Sequence, residues 1–242
     1  MSIFVNKTSS SFPKTAALIV AGGSSLRFGG DKLMASLLGR PLITYSLLAF
    51  AKTSLISSII LVVPSKREEE FQGVIDSLNN PRLSEIIRII PGGESRHASV
   101  QRGLIALSDS CAFVAIHDAA RPLIKQDQIE GVCKAAYSVG AAALALPVAE
   151  TLHRSDASGY AQETIDRHQL WSMQTPQVFR VKEMLRIIHE DKKSLRIPTD
   201  EVSALLSHGI KTMLIENRVP NIKVTYQEDL RLVRASLENS SQ

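Results

Sequence analysis

Thr15-Ala-Ala-Leu-Ile-Val20 runs without a break into Ala21-Gly-Gly-Ser-Ser-Leu-Arg-Phe-Gly-Gly-Asp-Lys32. The first six residues have the small and β-branched apolar character of a strand buried on both faces. The loop that follows has glycines for close backbone approach and carries fixed positive charge at Arg27 and Lys32. It matches neither common nucleotide fingerprint, since Lys32 precedes Leu33 and no G-x-G-x-x-G is present. A surface turn with two solvated charges is one account of such a loop. Its place directly after a buried strand favours the other, a backbone concavity for a phosphate chain with two cations beside it.

The same rhythm continues downstream. Strands are expected at Ser58–Val63, Glu85–Ile90, Ala112–Ile116 and Ala141–Leu146, with helices at Pro41–Phe50, Lys66–Leu78, Ser95–Leu107 and Gln126–Val139. This alternation predicts an α/β fold with a mostly parallel sheet covered on both faces. From Val148 the pattern changes to two polar, strand-capable runs, Val148–Arg154 and Tyr160–Arg167, around the turn-forming Ser155-Asp-Ala-Ser-Gly159. A polar hairpin has no face to bury, so it is expected to project as an arm over about residues 148–170. Helices near Val181–Glu190 and Asp200–His208, strands at Lys211–Ile215 and Asn221–Thr225, and a helix from Gln227 complete the chain. Residues 1–242 are read as one domain with this arm.

The 242 residues are 44% hydrophobic and 21% charged, with a formal net charge of +4. That mild excess, with no basic block, suits anionic metabolites rather than nucleic acid. No apolar run reaches membrane-spanning length. Cys111 and Cys133 sit in apolar surroundings without metal-ligand spacing and read as reduced thiols of a cytoplasmic protein, with a disulfide as the second reading. Met1–Lys14 lacks a secretory apolar core, and its Ser/Thr content leaves a plastid transit remnant as a second reading.

In open parallel sheets ligands bind beyond the carboxyl ends of the strands, and polar clusters recur there. In Pro91-Gly-Gly-Glu-Ser-Arg-His-Ala-Ser99, backbone and Ser99 can read a base edge, while Arg96 either contacts phosphate or braces the loop. His117-Asp118-Ala-Ala-Arg121 offers a carboxylate suited to Mg²⁺ or a ribose hydroxyl, or a buried Asp118–Arg121 pair. His117 reads as a structural histidine. Pro198-Thr-Asp-Glu201 looks like a helix start capped by Thr199 or Asp200. Lys223, between Ile222 and Val224, is either a solvated lysine or a third cation for phosphate. No nucleophile elbow, Cys–His pair or His/Cys metal cluster is visible, so phosphoryl or nucleotidyl transfer by positioning and charge fits best.

Five segments together carry a resemblance: Gly92–Val100, Val114–Pro122, Leu170–Gln177, Thr199–Glu201 and Asn221–Thr225. The chain resembles the 2-C-methyl-D-erythritol 4-phosphate cytidylyltransferase family from Thr15 to the final helix. The resemblance implies a Rossmann-like nucleotide-diphospho-sugar transferase fold, an Mg²⁺–CTP complex, transfer of CMP to the polyol phosphate, and a homodimer joined through the arm. It places Arg27, Lys32 and Lys223 at the reacting phosphorus. Ala21, Gly22, Gly23, Gly93 and Ser99 fall around the cytidine, and Asp118 near the ribose and metal. Arg121, Thr151, Arg167 and Thr199 fall around the acceptor. The chain departs from the family between Arg27 and Lys32, where the loop is shorter and Asp31 replaces the usual proline. There it looks more like the molybdenum-cofactor nucleotidyltransferases. The ribitol-5-phosphate cytidylyltransferases are a nearer alternative, and a non-catalytic nucleotide-binding protein is the contrasting class.

Overall fold

The computed structural model describes residues 12–22, 26–190 and 200–239. In chain order, β1 (Thr15–Val20) is followed by a short hairpin of β2 (Ser36–Leu37) and β3 (Arg40–Pro41). Then come α1 (Ile43–Lys52), β4 (Ile56–Val63), α2 (Glu68–Ser77), α3 (Pro81–Ile86), β5 (Ile87–Pro91) and α4 (Arg96–Ile105). Next are β6 (Phe113–Asp118), α5 (Gln126–Val139), β7 (Ala141–Pro147), β8 (Leu152–Ser155), β9 (Ala161–Ile165) and β10 (Trp171–Arg180). The last elements are α6 (Val181–Glu190), α7 (Glu201–Ser207), β11 (Met213–Glu216) and α8 (Gln227–Asn239).

Seven strands form one sheet in the order β11-β7-β10-β6-β1-β4-β5. Only the pairings of β10 are antiparallel. Side chains alternate across each strand, so β1 sends Ala17 and Ile19 to one face and Ala16, Leu18 and Val20 to the other. The first face is covered by α1, α2, α5 and α8 through residues such as Phe50, Phe71, Ile129 and Val233. The second is covered by α4, α6 and α7 through Leu104, Ile187 and Leu205. The expected α/β sheet with both faces covered is therefore the observed one.

Three elements differ from the sequence reading. The strand expected at Glu85–Ile90 begins only at Ile87, because Asn80 caps a helical turn that starts on Pro81 and runs through Ile86. Asn221–Thr225 is not a strand. Its Val224 amide donates to the Ala120 carbonyl at 2.8 Å, and Asn221 is spent on side-chain and loop contacts instead of a ladder. Ten-residue β10 was not expected as a strand, since its Ser, Thr, Gln and Pro content hides it. Its register with β7 shifts between Met173 and Gln177, around Pro176, which has no amide hydrogen for a ladder.

The arm forms as expected. β8 and β9 pair antiparallel as a separate, largely exposed ribbon. Its turn is closed by the Asp156 carboxylate, which accepts from the Ser158 and Tyr160 amides at 2.9 Å each. Gly159 there has φ +87°, a conformation that favours glycine.

α4 crosses β1 at Gly103, where an added Cβ would lie 2.1 Å from Leu18 Cδ1. Gly103→Ala gains about 1 kcal/mol of helix propensity. Overpacking a fully buried leucine costs about 1–3 kcal/mol, so a net loss of stability is expected. Urea unfolding should show a lower midpoint at constant slope; an unchanged midpoint would mean that Leu18 repacks freely.

Candidate active site

β6 ends on Asp118, which lies level in the sheet with Val20, the last residue before the opening loop. Asp118 is only 7% exposed, yet three cations from separate segments face it. Arg96 Nε is 3.0 Å from Oδ1, Lys223 Nζ 2.8 Å from Oδ2, and Arg121 Nε 3.8 Å from Oδ2. Burial pushes the carboxyl pKa up, but Arg96, Lys223 and Arg121 outweigh it and hold the group well below the usual carboxylate range.

Each cation also ties the site to another element. Arg96 makes a two-pronged contact with the buried Glu201 at 2.7 and 3.0 Å, joining α4 to the start of α7. Burial works against the Arg96 charge, but Glu201 and Asp118 raise its pKa above the ordinary arginine value. Arg121 is shifted down, chiefly by burial and partly offset by Asp118, and its Nη1 donates to the Asn221 carbonyl at 2.8 Å. Asn221 Nδ2 in turn donates to the Thr175 carbonyl at 2.9 Å and to Gln174 Oε1 at 3.2 Å. The turn after β6 is clamped from both sides. The Asp118 amide donates to Thr175 Oγ1 at 3.1 Å, and Ser46 Oγ donates to the Ala119 and Arg121 carbonyls.

A second cluster surrounds Ser99, whose fully buried hydroxyl accepts from the Gly93 amide at 3.1 Å. A Cβ on Gly22 would come within 3.2 Å of Ser99 Oγ, and one on Gly92 within 2.8 Å. A Cβ on Gly93 would lie 2.5 Å from the Ala98 Cβ. Main chain from two loops is thus packed directly around one hydroxyl, a surface of amides and carbonyls suited to a base edge. Ala21 fixes the first loop by donating its amide to the Val62 carbonyl at 2.8 Å.

The structure brings Ala21, Gly22, Gly93, Ser99, Asp118, Arg121 and Lys223 to the carboxyl edge of the sheet. Lys32 joins them, with Nζ 3.3 Å from the Val224 carbonyl; burial, and then Lys223, lower its pKa. Arg27 is exposed, its guanidinium 5.8 Å from the Tyr226 ring centre. Gly23 and Thr199 lie outside the described residues. Asp200, not Thr199, caps α7, accepting from the Ser203 amide at 2.9 Å. Thr151 and Arg167 are exposed on the arm, and Arg167 donates to the Ala149 carbonyl. Among the described residues no hydrogen bond or ion pair links either to Asp118. The arm nevertheless leaves the sheet at Pro147 and returns at Trp171, at the same edge.

Sequence reasoning gave Thr175, Glu201 and Asn221 no role. The available signal is weak: each is a polar residue that becomes buried within a short motif. Arg96 braces the site through Asp118 and Glu201.

A profile of the family described as 2-C-methyl-D-erythritol 4-phosphate cytidylyltransferase matches residues 15–239. A protein of that name from Alkaliphilus metalliredigens is 36% identical over 219 residues, 90% of each chain. Another, from Caldanaerobacter subterraneus, is 38% identical over 224 residues, 89% of this chain and 95% of its own. The chain belongs to this family. The crystal structure of the 2-C-methyl-D-erythritol 4-phosphate cytidylyltransferase from Thermus thermophilus matches with a TM-score of 0.76 at 26% identity, covering 93% of this chain and 99% of that one. For the 4-diphosphocytidyl-2C-methyl-D-erythritol synthase of Anaerococcus prevotii the TM-score is 0.80 at 24% identity, covering 93% and 96%, and the likeness is one of fold. Membership in the cytidylyltransferase family makes the chain an enzyme of nucleotidyl transfer and sets aside the molybdenum-cofactor and non-catalytic readings.

Behind the cytidylyltransferase site, fully buried His117 places Nδ1 3.1 Å from Thr175 Oγ1 and its ring 5.0 Å from that of Phe50. Burial pulls its pKa down to about 3 despite the neighbouring Asp118, so it stays neutral. A folded pKa below the unfolded value near 6.5 means that the unfolded chain binds the proton first, and stability falls as pH drops below about 6.5. From pH 7 to pH 5, His117 should contribute a loss of about 1–2 kcal/mol in urea unfolding free energy. His117→Asn should flatten that slope; an unchanged slope would assign it to other groups.

Proposed function

We propose that the chain transfers the cytidylyl group of CTP to 2-C-methyl-D-erythritol 4-phosphate by direct in-line displacement. A phosphate oxygen of the acceptor attacks the α-phosphorus. The new P–O bond forms as the α–β bridging P–O bond breaks, and pyrophosphate leaves. The observation that carries this reading is the charge balance at the sheet edge. Among the described residues Arg27, Lys32, Arg96, Arg121 and Lys223 gather there, with Asp118 and Glu201 as their ion-paired carboxylates and Asp229 also acting on Lys32. Such a cationic excess suits a triphosphate and the charge that builds on a transferring phosphorus.

In this reading Arg27, Lys32 and Lys223 stabilise the developing charge. The main-chain surface of Ala21, Gly22, Gly93 and Ser99 takes the cytosine, and Gly23 and Thr199 keep the nucleotide and acceptor roles that the resemblance implies. Members of the family use a divalent metal. The donor set fits Mg²⁺ in its chemistry: Asp118 is a hard oxygen donor that stays ionised, and Mg²⁺ takes one or two carboxylates with the rest from phosphate and water. Asp118 would hold the ion, which supplies charge neutralisation on the phosphates. Lys223 and Arg121 already share Oδ2, and they compete with the metal for it.

The acceptor side draws on the arm. Among the described residues no hydrogen bond or ion pair ties Thr151 or Arg167 to the Asp118 cluster, and the ribbon between them is largely exposed. We therefore assign the arm to a homodimer in which Thr151 and Arg167 serve the partner's site, with Arg121 and Thr199 at the same acceptor. The relatives' names favour methylerythritol phosphate over ribitol phosphate.

Pyrophosphate release from CTP should be fast with methylerythritol phosphate and slow with ribitol 5-phosphate; the reverse order would change the acceptor. Arg27→Ala, Lys32→Ala and Lys223→Ala should each lower kcat by about a hundredfold or more, the usual cost of losing one charge-stabilising donor. Near-normal turnover in any of them would remove that residue from the reacting centre. Arg167→Ala should raise KM for the polyol phosphate more than KM for CTP. Equal effects would place Arg167 outside the acceptor site.

A further inference from the structure

The loop that departs from the family pattern carries a device of its own. Asp31 Oδ1 accepts from the Leu33 amide at 3.2 Å and the Met34 amide at 3.4 Å, closing the turn that follows Lys32. Its other oxygen pairs with Arg67, at the start of α2. Arg67 is itself fixed: Nε and Nη2 each lie 2.7 Å from an oxygen of Glu70, and its guanidinium packs 5.3 Å from the ring centre of Phe71. Phe71 is buried in the core. Arg67 is thus a post anchored to the fold, and Asp31 is the part of the loop that hooks onto it.

The hook sits one residue before Lys32. Phe28 and Leu33, both buried, pin the loop on either side. Between them lie Gly29, at φ +75°, and Gly30, beside which an added Cβ would meet nothing within 4 Å. A Cβ on Gly29 would meet only the Gln227 side-chain amide, at 3.8 Å, so packing does little to define the stretch between Phe28 and Lys32. The main chain after the lysine is held, with the Lys32 carbonyl accepting from the Ala35 amide at 3.3 Å and the Leu33 carbonyl from the Ile43 amide at 3.2 Å. Among the described residues the Lys32 side chain makes one hydrogen bond, to the Val224 carbonyl, and feels both the cations Lys223 and Arg27 and the carboxylates Asp118 and Asp229. On the glycine side of the lysine, Asp31 is the side chain that ties the loop to the fold.

We propose that the Asp31–Arg67 pair is a latch that positions Lys32 for reaction, doing with charge what a proline does by stiffening the chain. The proposal rests on the role given to Lys32 above. Asp31 and Arg67 are positioning residues, not catalytic ones. Both are about one-third exposed, so the pair adds little to global stability. Its loss should appear in kcat and not in melting.

The test is a set of steady-state measurements on Asp31→Asn, Arg67→Gln and the double variant, with CTP and methylerythritol phosphate. Asparagine keeps an oxygen for the Leu33 and Met34 amides and loses only the ion pair. Each single variant should lose about tenfold in kcat with a smaller change in KM for CTP, since a small misplacement of a reacting group is costly. The double variant should be no worse than the poorer single one, because both break the same contact. A long-range charge effect would have opposite signs: removing a carboxylate would help an anionic substrate, and removing a guanidinium would hinder it. Loss in both singles therefore distinguishes a latch from a field effect. In a Lys32→Ala background, Asp31→Asn should cost less than about twofold if the latch acts through Lys32. Wild-type kcat in Asp31→Asn, opposite signs in the two singles, or a full tenfold loss persisting without Lys32 would each overturn the latch. Near-normal turnover in Lys32→Ala would instead overturn the reading of Lys32 itself.

Discussion

A single carboxylate buried at the end of a central strand sets the terms for the rest of the structure. Asp118 cannot sit at the end of β6 as an unpaired anion, because removing a charge from water costs an amount comparable to the net stability of a domain. It is retained by three cations, and each of these must itself be held. Arg96 is held by Glu201, Arg121 by the Asn221 carbonyl, and Lys223 by the placement of its segment against the turn after β6. One buried charge therefore reaches into β6, α4, α7 and the segment before α8. Buried ion pairs are poor investments for stability alone, since well-packed apolar groups often do as well. Their presence at the carboxyl edge of the sheet is better understood through the anionic substrate proposed to bind there.

Much of this organisation was legible in the chain. β1, β4, β6 and β7 are apolar runs of the kind that only a doubly covered sheet buries, and their glycine and proline punctuation marks the edge where ligands bind. The arm was legible for the opposite reason, since it has no apolar face at all. What stayed hidden depends on partners distant in sequence. β10 is an ordinary strand written in polar residues. Thr175, Gln174 and Gln177 point their side chains at the Asp118 turn, Asn221 and Asp200, so their polarity serves the site and conceals the strand. Local pattern reads propensity and burial periodicity, and these residues obey a tertiary demand instead.

The same holds for the charges. Arg96 was visible as a cation beside a glycine loop, where phosphate contact and loop bracing are equally reasonable. Its bracing partner Glu201 is over a hundred positions away and invisible to any local window. Asp31 was visible only as a departure from the family's pattern. Its meaning comes from Arg67 across the loop, which turns a missing proline into an ion pair. Residues whose role lies in a distant partner are the ones that a single sequence exposes as types without exposing their function.

The free site is also electrostatically unfinished. Burial, and then the nearby Lys223, lower the Lys32 pKa. Five cations with two close carboxylate partners are a repulsive arrangement that the fold sustains because its remaining packing is strong: two continuous apolar layers cover the sheet. In the proposed reaction a triphosphate would supply the missing negative charge, and its binding would relieve a repulsion that folding had imposed. The relief would be largest where negative charge is greatest, and during transfer that is at the pentacoordinate phosphorus. An arrangement strained by its own cations in the free state and satisfied at the transition state would be complementary to the reaction rather than to the substrate. Such complementarity requires Lys32 to be held in place before the anion arrives, because an unrestrained lysine would swing towards solvent and lower the repulsion by leaving.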